Sequence, residues 1–151
     1  MKIAKFVFSI LIAQLAGFIG AFFTVTSGGS WYEMLEKPIF NPPGWIFGPV
    51  WTLLYFLLGI SLYLVLVKRK KLFAVMIFSF QWVLNVLWSY LFFGLQDPVA
   101  SLVGIIILWL TILLMMIKFY RVNKWAAYCN IPYLLWVSFA TVLNLSIVIL
   151  N

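Results

Sequence analysis

Three groups of aromatic and amide side chains recur at helical spacing. Gln81, Asn85, Trp88 with Ser89, and Phe92 follow one another at three- and four-residue intervals, so they share a helix face. Pro132, Trp136, Ala140 and Asn144 do the same, with Tyr133 close by, and Trp51 and Tyr55 are four apart with Leu58 continuing the stripe. Amide and indole groups are costly in an apolar setting unless hydrogen-bonded, so these faces should point inward. Two readings fit them. They are glue between helices, as polar residues in membrane bundles commonly are, or they wall an apolar pocket set with a few polar groups. Gln14, Gln81 or Asn144 taken singly reads as glue; the combined set favours a pocket.

The remaining inventory excludes most conventional catalysis. There is no histidine and a single cysteine, Cys129, which removes zinc, copper and disulfide frameworks and leaves no imidazole for proton transfer near neutral pH. A haem iron would have to take Cys, Met or Tyr as its axial ligand. No Asp, Glu, Lys or Arg lies deep within an apolar block, so paired carboxylates and triads are out of reach, and Ser and Thr have no base to activate them. The same absence argues against a proton-driven pump or small multidrug exporter. Cys129 itself reads as a small buried hydrophobe. No metal site and no required cofactor are expected.

The elements that must carry these faces are membrane helices. Of the 151 residues, 66% are hydrophobic and 9% charged, and the mean hydropathy is +1.15. A soluble domain has roughly half and a quarter. The apolar residues form five blocks of about 20, the length that spans a bilayer as helix. The expected fold is an all-α bundle of five transmembrane helices in one domain, 1–151, with spans near 3–25, 43–67, 72–93, 98–119 and 125–150. The loop 26–42 would cover the pocket; its length marks it as functional or mobile. A signal peptide is the competing reading for the first block, which is too long and lacks a small-residue cleavage site. Asn41 can cap the second span with Pro42 in its first turn, and Asp97-Pro98 offers the same start to the fourth. Ala13, Gly17 and Ala21, with Ala16 and Gly20 beside them, give the first span a smooth face for dimerisation or for packing inside the bundle.

Charge sets the expected orientation. Lys2, Lys5, Lys68, Arg69, Lys70, Lys71, Lys118, Arg121 and Lys124 fall on one side of the spans. Lys37, Glu33, Glu36 and Asp97 fall on the other. The basic side is cytoplasmic by the positive-inside rule, with the N-terminus inside and the C-terminus outside. The run Lys68–Lys71 needs no role beyond topology, though it could also bind anionic lipid. The net charge of +7 does not imply nucleic-acid binding. Trp31, Tyr32, Trp45 and Trp125 are candidates for an interfacial aromatic belt; Trp51 and Trp136 lie further along their spans.

Several blocks together resemble a known family. Trp31-Tyr32, Lys37-Pro38, Asn41-Pro42-Pro43, Gly48-Pro49-Val50-Trp51 and Leu54-Tyr55 look like the hallmark of the translocator protein, or tryptophan-rich sensory protein, family (TspO/MBR). Gln81, Asn85, Trp88 and Phe92-Phe93 resemble its third-helix block. Pro132-Tyr133, Trp136, Phe139-Ala140-Thr141 and Leu143-Asn144 resemble its fifth. The resemblance implies five helices around a pocket for porphyrins, notably protoporphyrin IX, and for isoquinoline-carboxamide ligands. It also implies homodimerisation and a mobile first loop over the pocket. By position, Tyr32, Pro42, Asn85, Trp88 and Ala140 would line the site. Trp51 and Trp136 would be the pair linked in the family to light-dependent porphyrin breakdown; plain stacking is their alternative role.

The animal members' sterol motif is incomplete here: Asn144 is followed by Leu145, and Val148-Ile149-Leu150-Asn151 holds no basic residue. Sterol binding therefore has no support from the resemblance, which points to a bacterial member in the cell membrane. A flat macrocycle suits an aromatic slot with few polar groups at its mouth, and Lys37 could pair with a propionate. Any photochemistry would belong to the excited porphyrin and oxygen, with an oxidisable indole as the protein's part. Transport of porphyrin or another hydrophobic molecule, and ligand-responsive regulation without catalysis, are the alternatives.

Overall fold

The five expected membrane helices are present in the computed structural model, which describes residues 2–24, 30–68 and 71–151. Arg69, Lys70 and residues 25–29, which include the start of the covering loop, lie outside the described residues. The elements are α1 (Lys2–Phe23), α2 (Trp31–Met34), α3 (Gly44–Leu66), α4 (Leu72–Ser89), α5 (Pro98–Val122), α6 (Lys124–Tyr128) and α7 (Ile131–Leu150). Helix α4 runs on into a π-helical turn, Tyr90–Gly94, and α6 with α7 forms the fifth span, Lys124–Leu150. In lipid every backbone polar group needs an internal partner, which only unbroken helical hydrogen bonding supplies across a span of this length.

Local chemistry explains where the helices start and break. Asp97 Oδ1 accepts the N–H groups of Val99 and Ala100 at 3.0 and 2.9 Å, and Pro98 follows in the first turn, so α5 starts as the dipeptide predicts. Asn41 does not cap α3. The N-cap is Pro43, and the Asn41 amide is used within the loop, accepting from Tyr32 Oη at 2.9 Å and donating to the Pro42 carbonyl at 3.1 Å. The fifth span is interrupted at Cys129-Asn130, because Pro132 has no N–H for the Tyr128 carbonyl. Cys129 sits half-buried at that joint as a free thiol rather than wholly inside a helix.

The helices form a ring in which α1 lies against α3 and α4, α4 against α5, and α5 against α6 and α7. Close approach of α1 and α3 is made by glycine: a Cβ on Gly59 would stand 2.8 Å from Ile10 Cα. One on Gly17 would stand 2.6 Å from the Tyr55 ring, and Ala13 and Ala16 are fully buried. Ala13, Ala16 and Gly17 of the smooth face thus serve packing within the bundle, while Ala21 is exposed. At the end carrying α6, Ser61 Oγ donates to the Ala126 carbonyl and accepts from Asn130 Nδ2, both at 2.6 Å, which locks α3 to the α6–α7 joint. Towards the opposite end α3 barely touches α7. A space opens there.

Candidate functional site

That space is a cavity of about 660 Å³ walled by α1, α3, α4 and α7 and roofed by α2. Helix α3 supplies Phe47, Trp51 and Tyr55; α4 and its π turn supply Trp88, Phe92 and Phe93; α7 supplies Trp136, Ala140 and Asn144; and α2 supplies Tyr32. Trp51 stacks on Tyr55 at 5.4 Å between centroids with 23° between planes, and Trp88 on Phe92 at 5.7 Å and 26°. Trp51 also lies 6.3 Å from Trp88, and Phe47 lies 6.0 Å from Trp136. These rings make a continuous aromatic wall. The π turn has a positional effect: by adding a residue to the turn it lets the consecutive Phe92 and Phe93 both reach the cavity and both meet Tyr32, at 6.2 and 5.7 Å.

A fully buried hydrogen-bond chain lies beneath. Tyr55 Oη donates to Asn85 Oδ1 at 2.5 Å, Asn85 Nδ2 to Tyr133 Oη at 2.8 Å, and Tyr133 Oη to Gln81 Oε1 at 3.0 Å. It ties α3, α4 and α7 together and fixes the ring of Tyr55 under Trp51. On the far wall Asn144 Oδ1 accepts from Trp88 Nε1 at 3.2 Å and Ser101 Oγ at 3.1 Å, while its Nδ2 donates to the Pro98 carbonyl at 2.9 Å. Asn144 thus sets the Trp88 indole, with its oxygen doubly used and one of its two amide N–H groups spent on Pro98.

Not every residue picked out by spacing or resemblance reaches the cavity. Tyr32, Trp51, Tyr55, Trp88, Phe92, Trp136, Ala140 and Asn144 line it. Gln81 and Asn85 share the same face of α4 but lie deeper, consumed by the chain beneath the floor. Pro42 stands in the loop, off the lining, with its carbonyl bonded to Asn41. Lys37 points away from the cavity: its ammonium donates to the Glu33 and Leu35 carbonyls, both at 3.1 Å, and lies 4.9 Å over the Tyr32 ring. A cation satisfied so close to its own backbone has no reason to reach inward. Of the belt candidates, Trp45 and Trp125 are 75% and 61% exposed, whereas Tyr32 is buried beneath the loop. Burial pushes the Tyr32 phenol above its ordinary pKa, partly offset by the hydrogen bond to Asn41.

The contribution of α1 was missed from spacing. Gln14, Gly17, Phe18, Gly20, Ala21 and Thr24 complete the wall; the small-residue stripe was the signal, but it reads as a packing face. Gly44 and Gly48 also line the space, and a Cβ on either would meet nothing within 4 Å. The roof is held by a clasp. The Asn151 side chain accepts from the Glu36 N–H and donates to the Glu36 carbonyl, each at 3.0 Å.

The indole N–H groups are used differently across the bundle. Trp82 donates to the Ile12 carbonyl at 2.8 Å and Trp109 to Ser138 Oγ at 2.7 Å. Inside the cavity Trp136 Nε1 is buried without a partner, and Trp51 Nε1 has none among the described residues. No Asp, Glu, Lys or Arg lines the space, and no group of His, Cys, Asp and Glu among the described residues could hold a metal. The site can stack a flat apolar body and donate neutral hydrogen bonds to it.

Comparison with known proteins matches the sequence to a family. The TspO/MBR family model matches residues 9–150. The chain is 47% identical to the tryptophan-rich protein TspO of Archaeoglobus fulgidus, with 100% of this chain and 99% of that relative covered. It is 45% identical to the tryptophan-rich protein TspO of Chlorobaculum tepidum over 89% of this chain and 88% of that one. It is 33% identical to the translocator protein of Homo sapiens over 89% and 82%.

Proposed function

The chain belongs to the TspO/MBR family of integral membrane proteins, and from that membership we propose that its cavity binds a porphyrin such as protoporphyrin IX. The observation that carries this reading is the cavity itself: about 660 Å³, aromatic on several walls, free of charged lining, with neutral hydrogen-bonding groups such as the Trp51 indole on its wall. Sites for drug-sized ligands run from about 300 to 1,000 Å³ and combine such walls with a few polar groups. The stacked pairs Trp51–Tyr55 and Trp88–Phe92 suit a planar guest, and Trp51 can offer its N–H to an acceptor on it.

The same site supports light- and oxygen-dependent degradation of the bound porphyrin. The excited macrocycle and dioxygen supply the chemistry; the protein holds the ring against the oxidisable indoles Trp51 and Trp136. Titration of the detergent-solubilised protein with protoporphyrin IX is expected to give saturable quenching of tryptophan fluorescence, and a linear, unsaturable response refutes binding. Under illumination in air, a Trp51→Phe, Trp136→Phe double variant is expected to lose porphyrin more slowly than the native protein. Equal loss refutes the catalytic part.

One feature favours passage as a second reading. Phe18 and Trp45 line the cavity yet are 66% and 75% exposed on the outside of the bundle, so the wall between α1 and α3 faces lipid as well as ligand. Flux of a labelled porphyrin into liposomes above that of protein-free liposomes would identify a transporter.

A further inference from the structure

Serine and threonine hydroxyls in the membrane-crossing helices are spent, with one exception. Ser9, Ser79, Thr111, Ser138, Thr141 and Ser146 each donate to the carbonyl four residues earlier, at 2.7–3.1 Å. Thr52 does so beside the cavity at 2.9 Å, Ser61 donates across to the Ala126 carbonyl, and Ser101 serves Pro98 and Asn144. Of the described hydroxyls in these helices, Ser89 alone donates to nothing. It is 9% exposed, and what it is exposed to is the cavity. Back-bonding is the default for a hydroxyl on a helix in an apolar medium, so an unbonded one costs free energy until something accepts its proton.

The surroundings keep that hydroxyl available. Ser89 is the last α-helical residue before the π turn. It faces Gly20 of α1, where a Cβ would stand 3.1 Å from its Oγ. The missing side chain at Gly20 leaves the oxygen uncrowded. The polar groups with unused capacity around the cavity wall are all neutral: this hydroxyl, the indole N–H of Trp51, and the Gln14 and Asn144 amides. No cation is at hand, because Lys37 is bound to loop carbonyls outside the lining. A carboxylate entering here would be stripped of water with no counter-charge, whereas a carbonyl oxygen would find donors waiting.

We propose that Ser89 reads the polar edge of the ligand, and that the site prefers an uncharged, carbonyl-bearing planar molecule to a free dicarboxylate of the same skeleton. This rests on the porphyrin reading above and adds to it the charge state of the preferred guest and the residue that selects it. A free diacid still binds, by leaving its carboxylates at the roof or entering protonated, and does so more weakly than its ester.

The test uses three porphyrins: protoporphyrin IX, its dimethyl ester, and etioporphyrin, which has the ring but no carbonyl. Each is titrated into the native protein and Ser89→Ala at one detergent concentration, against protein-free micelles. The ester is expected to bind the native protein more tightly than the diacid. The ester-over-etioporphyrin affinity ratio is expected to fall about three- to tenfold in Ser89→Ala, the worth of one neutral hydrogen bond. An unchanged ratio, including an equal loss for both ligands, makes Ser89 a packing residue and overturns the inference, as does a diacid that outcompetes its ester. Absence of saturation with all three porphyrins overturns the porphyrin reading itself. That outcome is distinct, because the other results all require binding.

Discussion

Replacing Asn151 by alanine removes the two hydrogen bonds by which its amide clasps the Glu36 peptide, each 3.0 Å long. A neutral hydrogen bond contributes about 0.5–1.5 kcal/mol net, so the pair spans about 1–3 kcal/mol. Both bonds are exposed and water replaces them in part, which favours the lower end, about 1–2 kcal/mol. That is a factor of about 5–30 in the balance between a docked and a lifted roof. Hydrogen–deuterium exchange at the Glu36 amide, whose proton is bonded to Asn151 Oδ1, reads this balance directly. The amide is expected to exchange about 5–30 times faster in Asn151→Ala, while the buried middle of α5 around Leu108 keeps its native rate. Asn151→Asp keeps an acceptor for the Glu36 N–H and loses the donor, so it should fall between. Native-like exchange at Glu36 in the alanine variant would show that Leu35 and Tyr32 packing alone holds the roof; acceleration throughout α5 would show a loss of fold rather than of a clasp.

Two further substitutions test the walls. Asn85→Leu leaves the Tyr55 hydroxyl buried without its acceptor, whereas Tyr133 keeps Gln81, so thermal unfolding in detergent should show a loss of about 1–3 kcal/mol; an unshifted Tm would mean the chain beneath the floor is not structural. Gly17→Ala drives a Cβ to 2.6 Å from a Tyr55 ring that Asn85 holds in place, and should cost about 1–3 kcal/mol along with porphyrin affinity. Gly48→Ala meets nothing within 4 Å and gains helix propensity, so its Tm should hold or rise. The reverse ranking of the two glycine variants would refute the packing argument.

The bundle was legible in the sequence because lipid permits so few solutions. Five apolar stretches of spanning length must be helices, and helical period assigns each side chain an azimuth. That placed Trp51, Tyr55, Trp88, Phe92, Trp136, Ala140 and Asn144 on the cavity side. Period says nothing about depth. Gln81 lies seven residues below Trp88, about 10 Å along the axis at 1.5 Å per residue, which carries it past the cavity floor into contact with Tyr133. Nor does period foresee its own interruption: Phe93 reaches the cavity because α4 turns π-helical at Tyr90. For α1, a stripe of glycine and alanine shows that something comes close without naming it. Here Gly17 admits the Tyr55 ring and Gly20 leaves room for the Ser89 hydroxyl. Nor does spacing foretell that the Lys37 ammonium turns back on its own loop, to the carbonyls of Glu33 and Leu35.

What separates a binding cavity from a packing defect in such a bundle is how its polar groups are satisfied. A bundle held only by glue would leave no donor idle in a medium where each idle donor costs about 1–3 kcal/mol. Away from the cavity that holds for the indoles of Trp82 and Trp109 and for the back-bonded serines and threonines of the spans, with Gln81 Nε2 and the Ser30 hydroxyl as the buried exceptions. Along the cavity wall it fails at Trp51, Trp136 and Ser89, on three different helices that converge on one space. Phenylalanine at either tryptophan and alanine at Ser89 would fill similar volume without that penalty. Three idle donors around one space are hard to reconcile with packing alone, and an acceptor-bearing guest would offset the cost at those that face it, Trp51 and Ser89.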